Sequence, residues 1–345
     1  MNKKIISFFS ILLLVLGFSA QVVGAEENKN TDKLFSVSPL NPETKEPQSS
    51  YYDLTVQPNE EKELSVRIFN SSESPLKVKI ELNNATTNNN GITSYQASEE
   101  KDSSLKTGFS DIASVKESTV TIKEKGYVDV PVHLTIPKEK FKGSILGGIR
   151  ISAAEEDEAG STEQETAVKS KISYVVGVLL KEDDGVVRPD IQLNDIITEQ
   201  RNYRNYISAN LQNKAPTMVK KLAVEAKVYK KGSNTVVYEA ANSEMRMAPN
   251  SNFNFGINLE NQPFKAGKYT MVLSGKADEE AFKFKKDFEI TSKESNSFNK
   301  NAVYVEEDTT GKLILYISLG VLVVIVTVLG CYVYRLHKKK EGDIR

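Results

Sequence analysis

From Leu313 to Tyr334 the chain reads LILYISLGVLVVIVTVLGCYVY, about 22 positions with no charge, slightly more than the ~20 a helix needs to cross a hydrocarbon core. No polar stripe interrupts the run, as one would in a soluble helix of that length. Its β-branched residues, Val321 to Val328 among them, disfavour a helix in water. In lipid the backbone must satisfy its own hydrogen bonds, so a helix is the outcome. Arg335, His337, Lys338, Lys339 and Lys340 follow the run, whereas only Lys312 lies immediately before it. Positive charge stays inside, which places this tail in the cytoplasm and everything upstream outside. A cell-wall sorting signal would share the apolar run and basic tail, but it needs a Leu-Pro-x-Thr-Gly motif. Thr309-Thr310-Gly311 has no proline.

The other terminus agrees. Lys3 and Lys4 precede an apolar stretch, Ile5 to Phe18, and Val23-Gly24-Ala25 supplies small residues before a cleavage site, so cleavage is expected after Ala25. The only cysteine, Cys331, lies inside the apolar run. An exported chain of this kind has no disulfides to draw on, and each domain must stand on its own core. That, with the richness in Lys, Asn and Glu, suggests a bacterial surface protein. A formal net charge of −1 gives no field that would gather nucleic acid. Asn70-Ser71-Ser72 and Asn84-Ala85-Thr86 match the glycosylation pattern, a chance match in a bacterium.

Between these ends the periodicity is two. Leu64, Val66 and Ile68 alternate with Ser65, Arg67 and Phe69, and Leu76, Val78, Ile80 and Leu82 alternate with polar residues. The cluster from Asn70 to Pro75 between them reads as a hairpin turn. Asn88-Asn89-Asn90-Gly91 is another turn, since Asn and Gly tolerate positive φ. Ser103 to Ser114 reads as loop with one helical turn at most. Val128 to Ile136 alternates until Pro137, and Gly143 to Ile151 reads as a strand whose glycines let a neighbour approach closely. The acidic stretch Glu155 to Thr166 is either an interdomain linker or the tip of a hairpin joining that strand to the next. A second alternating set follows: Ile172 to Leu180, Tyr206 to Gln212, Leu222 to Tyr229, Phe253 to Ile257, Gly267 to Leu273 and Phe282 to Ile290. The expected fold is all-β, two tandem immunoglobulin-like β-sandwiches followed by a single transmembrane helix. The expected division is a signal peptide at 1–25, sandwiches at 34–153 and 168–292 joined by 154–167, a polar stalk at 293–311, the membrane helix at 312–334 and a basic tail at 335–345.

Catalytic chemistry finds little support. Upstream of the apolar run there is no cysteine and a single histidine, His133, which falls in the outward set of its strand. A nucleophile needs a base beside it, and zinc needs more His and Cys than this. Glu155-Glu156-Asp157-Glu158 lacks the spaced acid-Gly pattern of a calcium loop. A carboxylate pair for glycan hydrolysis stays open on composition alone, but without Trp there is no Trp-lined sugar groove. No catalytic residue, metal or cofactor is assigned. Binding remains, with Tyr51, Tyr52, Asn89 and Tyr95 as candidate contacts. Against this, Tyr51-Tyr52 reads as a strand start with one ring in the core, and the Asn run reads as a turn.

Several blocks, taken in order, resemble the WxL-interacting proteins of Gram-positive bacteria. In the first half these are Phe35-Ser36-Val37, Tyr51-Tyr52-Asp53-Leu54, Asn83 to Asn88 with Gly91 and Tyr95, Pro137 with Phe141-Lys142-Gly143, and Gly143 to Ile149. In the second they are Tyr174 to Leu180, Leu211-Gln212-Asn213, Met247-Ala248-Pro249-Asn250-Ser251, Lys265 to Tyr269 and Phe288 to Thr291. Two places depart from the pattern: Leu40-Asn41-Pro42-Glu43-Thr44 stands where a Leu-Pro-x-Asn-Gln is usual, and Ala281-Phe282 where Trp is frequent. The resemblance implies an N-terminal domain that binds peptidoglycan, a C-terminal domain that binds host extracellular proteins, and secreted partners carrying a WxL domain. It implies no catalytic residues. The resulting expectation is a non-enzymatic, single-pass protein of a Gram-positive plasma membrane, N-terminus outside. The alternatives are a surface sensor, disfavoured by the short tail after Tyr334, and a cell-wall hydrolase.

Overall fold

The computed structural model describes residues 34–48, 51–98, 100–154, 172–303 and 310–342. The expected leader with its cleavage site after Ala25, the acidic cluster at Glu155 and the last residues of the tail lie outside them. Eighteen strands dominate the described residues.

The first sandwich buries one core between two sheets. One sheet runs in the order β1 (Phe35–Leu40), β3 (Glu61–Asn70), β9 (Tyr127–Thr135) and β7 (Ala113–Ser114). The other runs β2 (Tyr51–Thr55), β11 (Ser173–Lys181), β10 (Ser144–Ala153), β4 (Leu76–Asn84) and β8 (Thr119–Ile122). Leu64, Val66 and Ile68 of β3 and Val130, Val132 and Leu134 of β9 point inward, as their alternation requires. Tyr52 clamps the sheets together. Its buried hydroxyl bonds the carbonyls of Ser65 at 2.7 Å and Leu40 at 2.9 Å, and accepts from the Leu40 amide at 3.1 Å.

The strand from Ile172 onward does not open the second unit, as its place in the sequence suggested. β11 pairs antiparallel with β10 and parallel with β2, and it sends Val176, Val178 and Leu180 into the first core. The acidic stretch therefore connects two strands of one sheet. The physical reason is register: Gly148 faces Gly177 across the pair, and the inward residues of both strands meet the same core.

The second sandwich packs β12 (Ile191–Arg201), β13 (Arg204–Asn213) and β16 (Ser251–Asn258) against β15 (Val236–Met247), β14 (Val219–Lys230), β17 (Gly267–Ala277) and β18 (Glu280–Ile290). Phe282 lies over Gly275 of β17, its register partner, and stacks near Phe284 at 5.8 Å. A large ring is thus still supplied where the Trp of the related pattern is missing. A short hairpin, β5 (Thr86–Thr87) with β6 (Thr93–Ser94), leaves the end of β4. The single helical turn in the Ser103–Ser114 loop is α1 (Phe109–Ile112).

Half of the expected stalk is instead a docked helix, α2 (Ser292–Asn301). Thr291 and Glu294 form its capping box: Thr291 Oγ1 accepts from the Glu294 amide at 3.2 Å, and Glu294 Oε2 accepts from the Thr291 amide at 2.9 Å. Phe298 packs on Phe264 at 5.5 Å, and buried Ser295 donates to the Phe264 carbonyl at 2.7 Å. Polarity hid this helix, because only one turn-spaced face is needed to seat it. The last helix is α3 (Thr310–Gly342). Its segment Leu315–Val333 is long and apolar enough to cross a membrane. Ser318 and Thr327 return their hydroxyls to the carbonyls of Leu315 and Val323, so neither is left unpaired there.

Burying a Val or Leu side chain is worth about 1.5–3 kcal/mol. The three from β11 together approach the whole stability of an ordinary domain, about 5–15 kcal/mol. A fragment of residues 34–154 is therefore expected to lack a cooperative thermal transition, whereas 34–188 melts cooperatively. Circular dichroism on the two fragments checks this, and equal melting of both would contradict the placement of β11.

Candidate functional site

Two consecutive glycines of β10 serve opposite faces of the sheet. Gly147 faces inward, where a Cβ would overlap Phe109, the fully buried first residue of α1. Gly148 faces outward, where a Cβ would lie 2.7 Å from Cδ1 of Tyr95. Across the sheet one outward row runs Tyr51, Gly177, Gly148, Asn83. The two glycines leave a trough, and the Tyr95 ring lies in it. A Cβ on Gly177 would stand 3.6 Å from both Tyr51 Cβ and the Tyr95 hydroxyl. Asn83 fixes the base of Tyr95 by donating to its carbonyl at 2.9 Å.

The structure therefore brings together Tyr51 and Tyr95, which are far apart in sequence, and separates them from the other two candidates. Tyr51 is 53% exposed at the rim. Tyr95 is half-buried, and burial pushes its phenol above the ordinary value. Tyr52 is core, so a ligand does not reach it. Asn89 sits in the contact between the sandwiches, where its Oδ1 accepts from the Asn254 amide at 3.0 Å.

That contact is built by the segment running from β5 to α1. Thr87 Oγ1 accepts from the Ala248 amide at 3.0 Å and lies 2.6 Å from Ser251 Oγ. Ser251 spends its proton on the Ala248 carbonyl at 2.9 Å, so Thr87 is the donor between the two hydroxyls. The Arg246 amide donates to the Gly91 carbonyl at 2.8 Å. Asn250 Nδ2 donates to the Ser104 carbonyl at 3.1 Å and to Lys214 O at 2.8 Å. At the far side, Gly143 (φ 73) abuts the Pro216 carbonyl, which accepts from the Ser144 amide at 2.8 Å. Backbone at positive φ pressed against a carbonyl admits no side chain.

Asp102 is the charged centre of this contact. Burial opposes its ionisation, but donors from Asn252 (2.6 Å), Ser104 (2.6 and 2.8 Å) and Gln212 (2.7 Å) outweigh it and hold its carboxyl below the usual carboxylate range. Beside it opens a polar cleft of about 390 Å³ between the sandwiches, lined by Asn83, Asn84, Ser98, Lys101, Asp102 and Asn252 among others. Its volume falls within the range of small-ligand sites. Asn83 joins it to the Tyr95 trough.

A second aromatic pair went unnoticed in the sequence. Phe69 and Tyr127 face each other on the outer side of β3 and β9, with Arg67 4.5 Å over the Tyr127 ring and bonded twice to Asp129 at 2.7 Å. The signal was available, since Phe69 falls in the outward set. His133 lies on the same face, half-exposed, with Nδ1 3.6 Å from Glu63. No third group completes an acid-base arrangement there among the described residues. Nor do the described residues include a cluster of three or more His, Cys, Asp or Glu able to hold a metal.

With this geometry in view, two family descriptions match. Residues 35–153 match the peptidoglycan binding domain of the WxL Interacting Protein, and residues 163–300 match its host binding domain. The chain belongs to the WxL-interacting protein family. Its matched units are binding domains, as the residues suggested, and they describe a cell-wall-associated surface protein. The host-binding match begins before β11, yet that strand completes the peptidoglycan-binding sandwich. No curated protein sequence matches the chain. Among solved structures the chain is similar to the YadV chaperone (10% identity, 74% of this chain and 100% of that one, TM-score 0.31). It is also similar to the E. coli chaperone DraB (10%, 74% and 98%, TM-score 0.29) and the Pseudomonas aeruginosa CupB2 chaperone (10%, 70% and 99%, TM-score 0.27).

The lowered pKa of Asp102 sets a pH window. Its ionised form is favoured by folding, so its contribution is complete above the unfolded value near 3.8 and is lost as pH falls through the lower folded value. Asp102→Asn is expected to cost about 1–3 kcal/mol at neutral pH, because an amide sets its own donors against those of the site. In urea titrations this difference should hold from pH 7 to 5 and shrink below about pH 4. A difference already gone at pH 5 would refute the assignment.

Proposed function

We propose that the first sandwich holds peptidoglycan on the face formed by Tyr51, the Gly148–Gly177 trough and Tyr95, with the neighbouring cleft taking the polar substituents of the strand. One observation carries the reading: within the peptidoglycan-binding domain, two tyrosines distant in sequence meet on a glycine-floored surface. An aromatic ring lying flat offers an apolar face to a sugar ring and a hydroxyl at its edge. Asn83, Asn84 and Lys101 supply donors beside it for amide and carboxylate groups. The second sandwich binds host extracellular proteins and the WxL-domain proteins that are secreted alongside. α3 crosses the plasma membrane of a Gram-positive cell once, with both sandwiches outside and the basic tail within. The protein works by binding and not by catalysis. Its lone ectodomain histidine is half-exposed and, among the described residues, paired with Glu63 alone, which supports this.

The test is retention of residues 34–303 on insoluble peptidoglycan and on an immobilised WxL-domain protein. Tyr51→Ala is expected to weaken peptidoglycan retention roughly tenfold, the loss of an anchor worth about 1.4 kcal/mol. Tyr127→Ala is expected to leave it unchanged, as is binding to the WxL-domain protein in both variants. Loss with Tyr127→Ala and not with Tyr51→Ala would move the site to the opposite face.

A further inference from the structure

The end of the second sandwich nearest the anchor carries an exposed tyrosine on a strained turn. β12 and β13 are joined by a two-residue turn, Asn202 (φ 50) and Tyr203 (φ 61). A turn with both φ positive favours glycine at its second position, and a bulky side chain there is strained. Here that position carries a tyrosine that is 65% exposed. Most of the ring stands in solvent, so burial does not offset the strain.

α2 brings the anchor to this hairpin. Gln200 Nε2 donates to the Phe298 carbonyl at 2.7 Å, Asn205 Nδ2 to Asn299 Oδ1 at 3.1 Å, and the Val303 amide to the Tyr203 carbonyl at 3.0 Å. The chain therefore leaves the sandwich at Tyr203 itself. α3 begins at Thr310, and the stretch between spans at most about 25 Å even if fully extended. The antiparallel register gathers the start of β13, the end of β16, the start of β17 and the end of β18 at this same end. Exposed cations are here: Arg204, Lys265, and Lys293 and Lys300, which share the outer face of α2. The acids are Glu260, Asp287, Glu289 and Glu294; Asp287 is paired with Lys231 at 3.0 Å, Glu289 stands opposite Lys268 across the β17–β18 pair, and Glu294 is engaged in the capping box.

We propose that the Tyr203 hairpin and the Lys293–Lys300 face of α2 rest in the headgroup layer of the membrane that anchors the chain, an anionic lipid surface. Tyrosine at the water–lipid interface and cations over anionic headgroups are the chemistry such a layer accepts. The host-binding sandwich is then seated on the membrane with a fixed end downward. The inference rests on α3 spanning the bilayer.

The chain has no tryptophan, so a single substitution makes an unambiguous reporter. The full chain carrying Tyr203→Trp is reconstituted into vesicles of phosphatidylglycerol and phosphatidylcholine brominated near the headgroup. Val186→Trp, at the opposite end of the sandwich and 91% exposed, is the control. Emission from Tyr203→Trp is expected to shift to shorter wavelength and be quenched, while Val186→Trp keeps its intensity. Adding Lys293→Glu and Lys300→Glu is expected to reduce the quenching. Equal emission from both reporters, in vesicles that carry the protein on flotation, would overturn the proposal and leave the anchor standing. Failure to float would remove the anchor and the proposal with it.

Discussion

Two aromatic rings lie on opposite sides of one dipeptide, and much else depends on that. Phe109 fills the core side of Gly147 and Tyr95 fills the outer side of Gly148, so β10 is gripped at the centre of its sheet. A side chain at either glycine would displace a ring. Tyr95 lies within the segment that reaches the second sandwich, and Phe109 is where that segment returns. Thr87, Asn89 and Gly91 come just before Tyr95 and Asp102 comes between the two rings, and each of the four meets the second sandwich. The dipeptide thus sets the face that carries Tyr51 and Tyr95, and it also sets where the two sandwiches touch.

The cores and the contact between them are made of different materials. Without disulfides, each sandwich relies on apolar burial from alternating strands, which is non-directional and tolerant of detail. The contact instead uses buried hydroxyls, amides and one carboxylate, each with its partner. Such groups contribute little net energy when satisfied and cost a good deal when not. They fix one relative placement. A cleft lined by residues of both sandwiches keeps its shape only under that condition, so the stiffness of the contact and the geometry of the site belong together.

The fold was legible because alternation is a local signal. Leu64 to Ile68 and Val128 to Ile136 named their inward faces correctly, and Gly143 to Ile151 carried its packing demand in its glycines. What could not be read was long-range pairing. β11 looks like any buried strand, and only its register with β10 and β2 assigns it to the first sandwich. α2 escaped because its seat depends on Phe264 and Asn205, which are distant in sequence. The candidate site was half legible. Tyr51 and Tyr95 could be named as aromatic candidates, but nothing near either one says that Gly177 brings them together. Asn89 has the chemistry of a ligand contact, and the structure spends it on Asn254.

Where a glycan strand lies on the first sandwich decides between its two outward faces. Titration of isotope-labelled residues 34–188 with a soluble peptidoglycan fragment, followed by amide chemical shifts, tests this most directly. The predicted result is a cluster of shifted resonances at Tyr51, Tyr95, Gly148 and Gly177, with Phe69 and Tyr127 unmoved. Shifts confined to the Phe69–Tyr127 face, with the glycine trough silent, would contradict it.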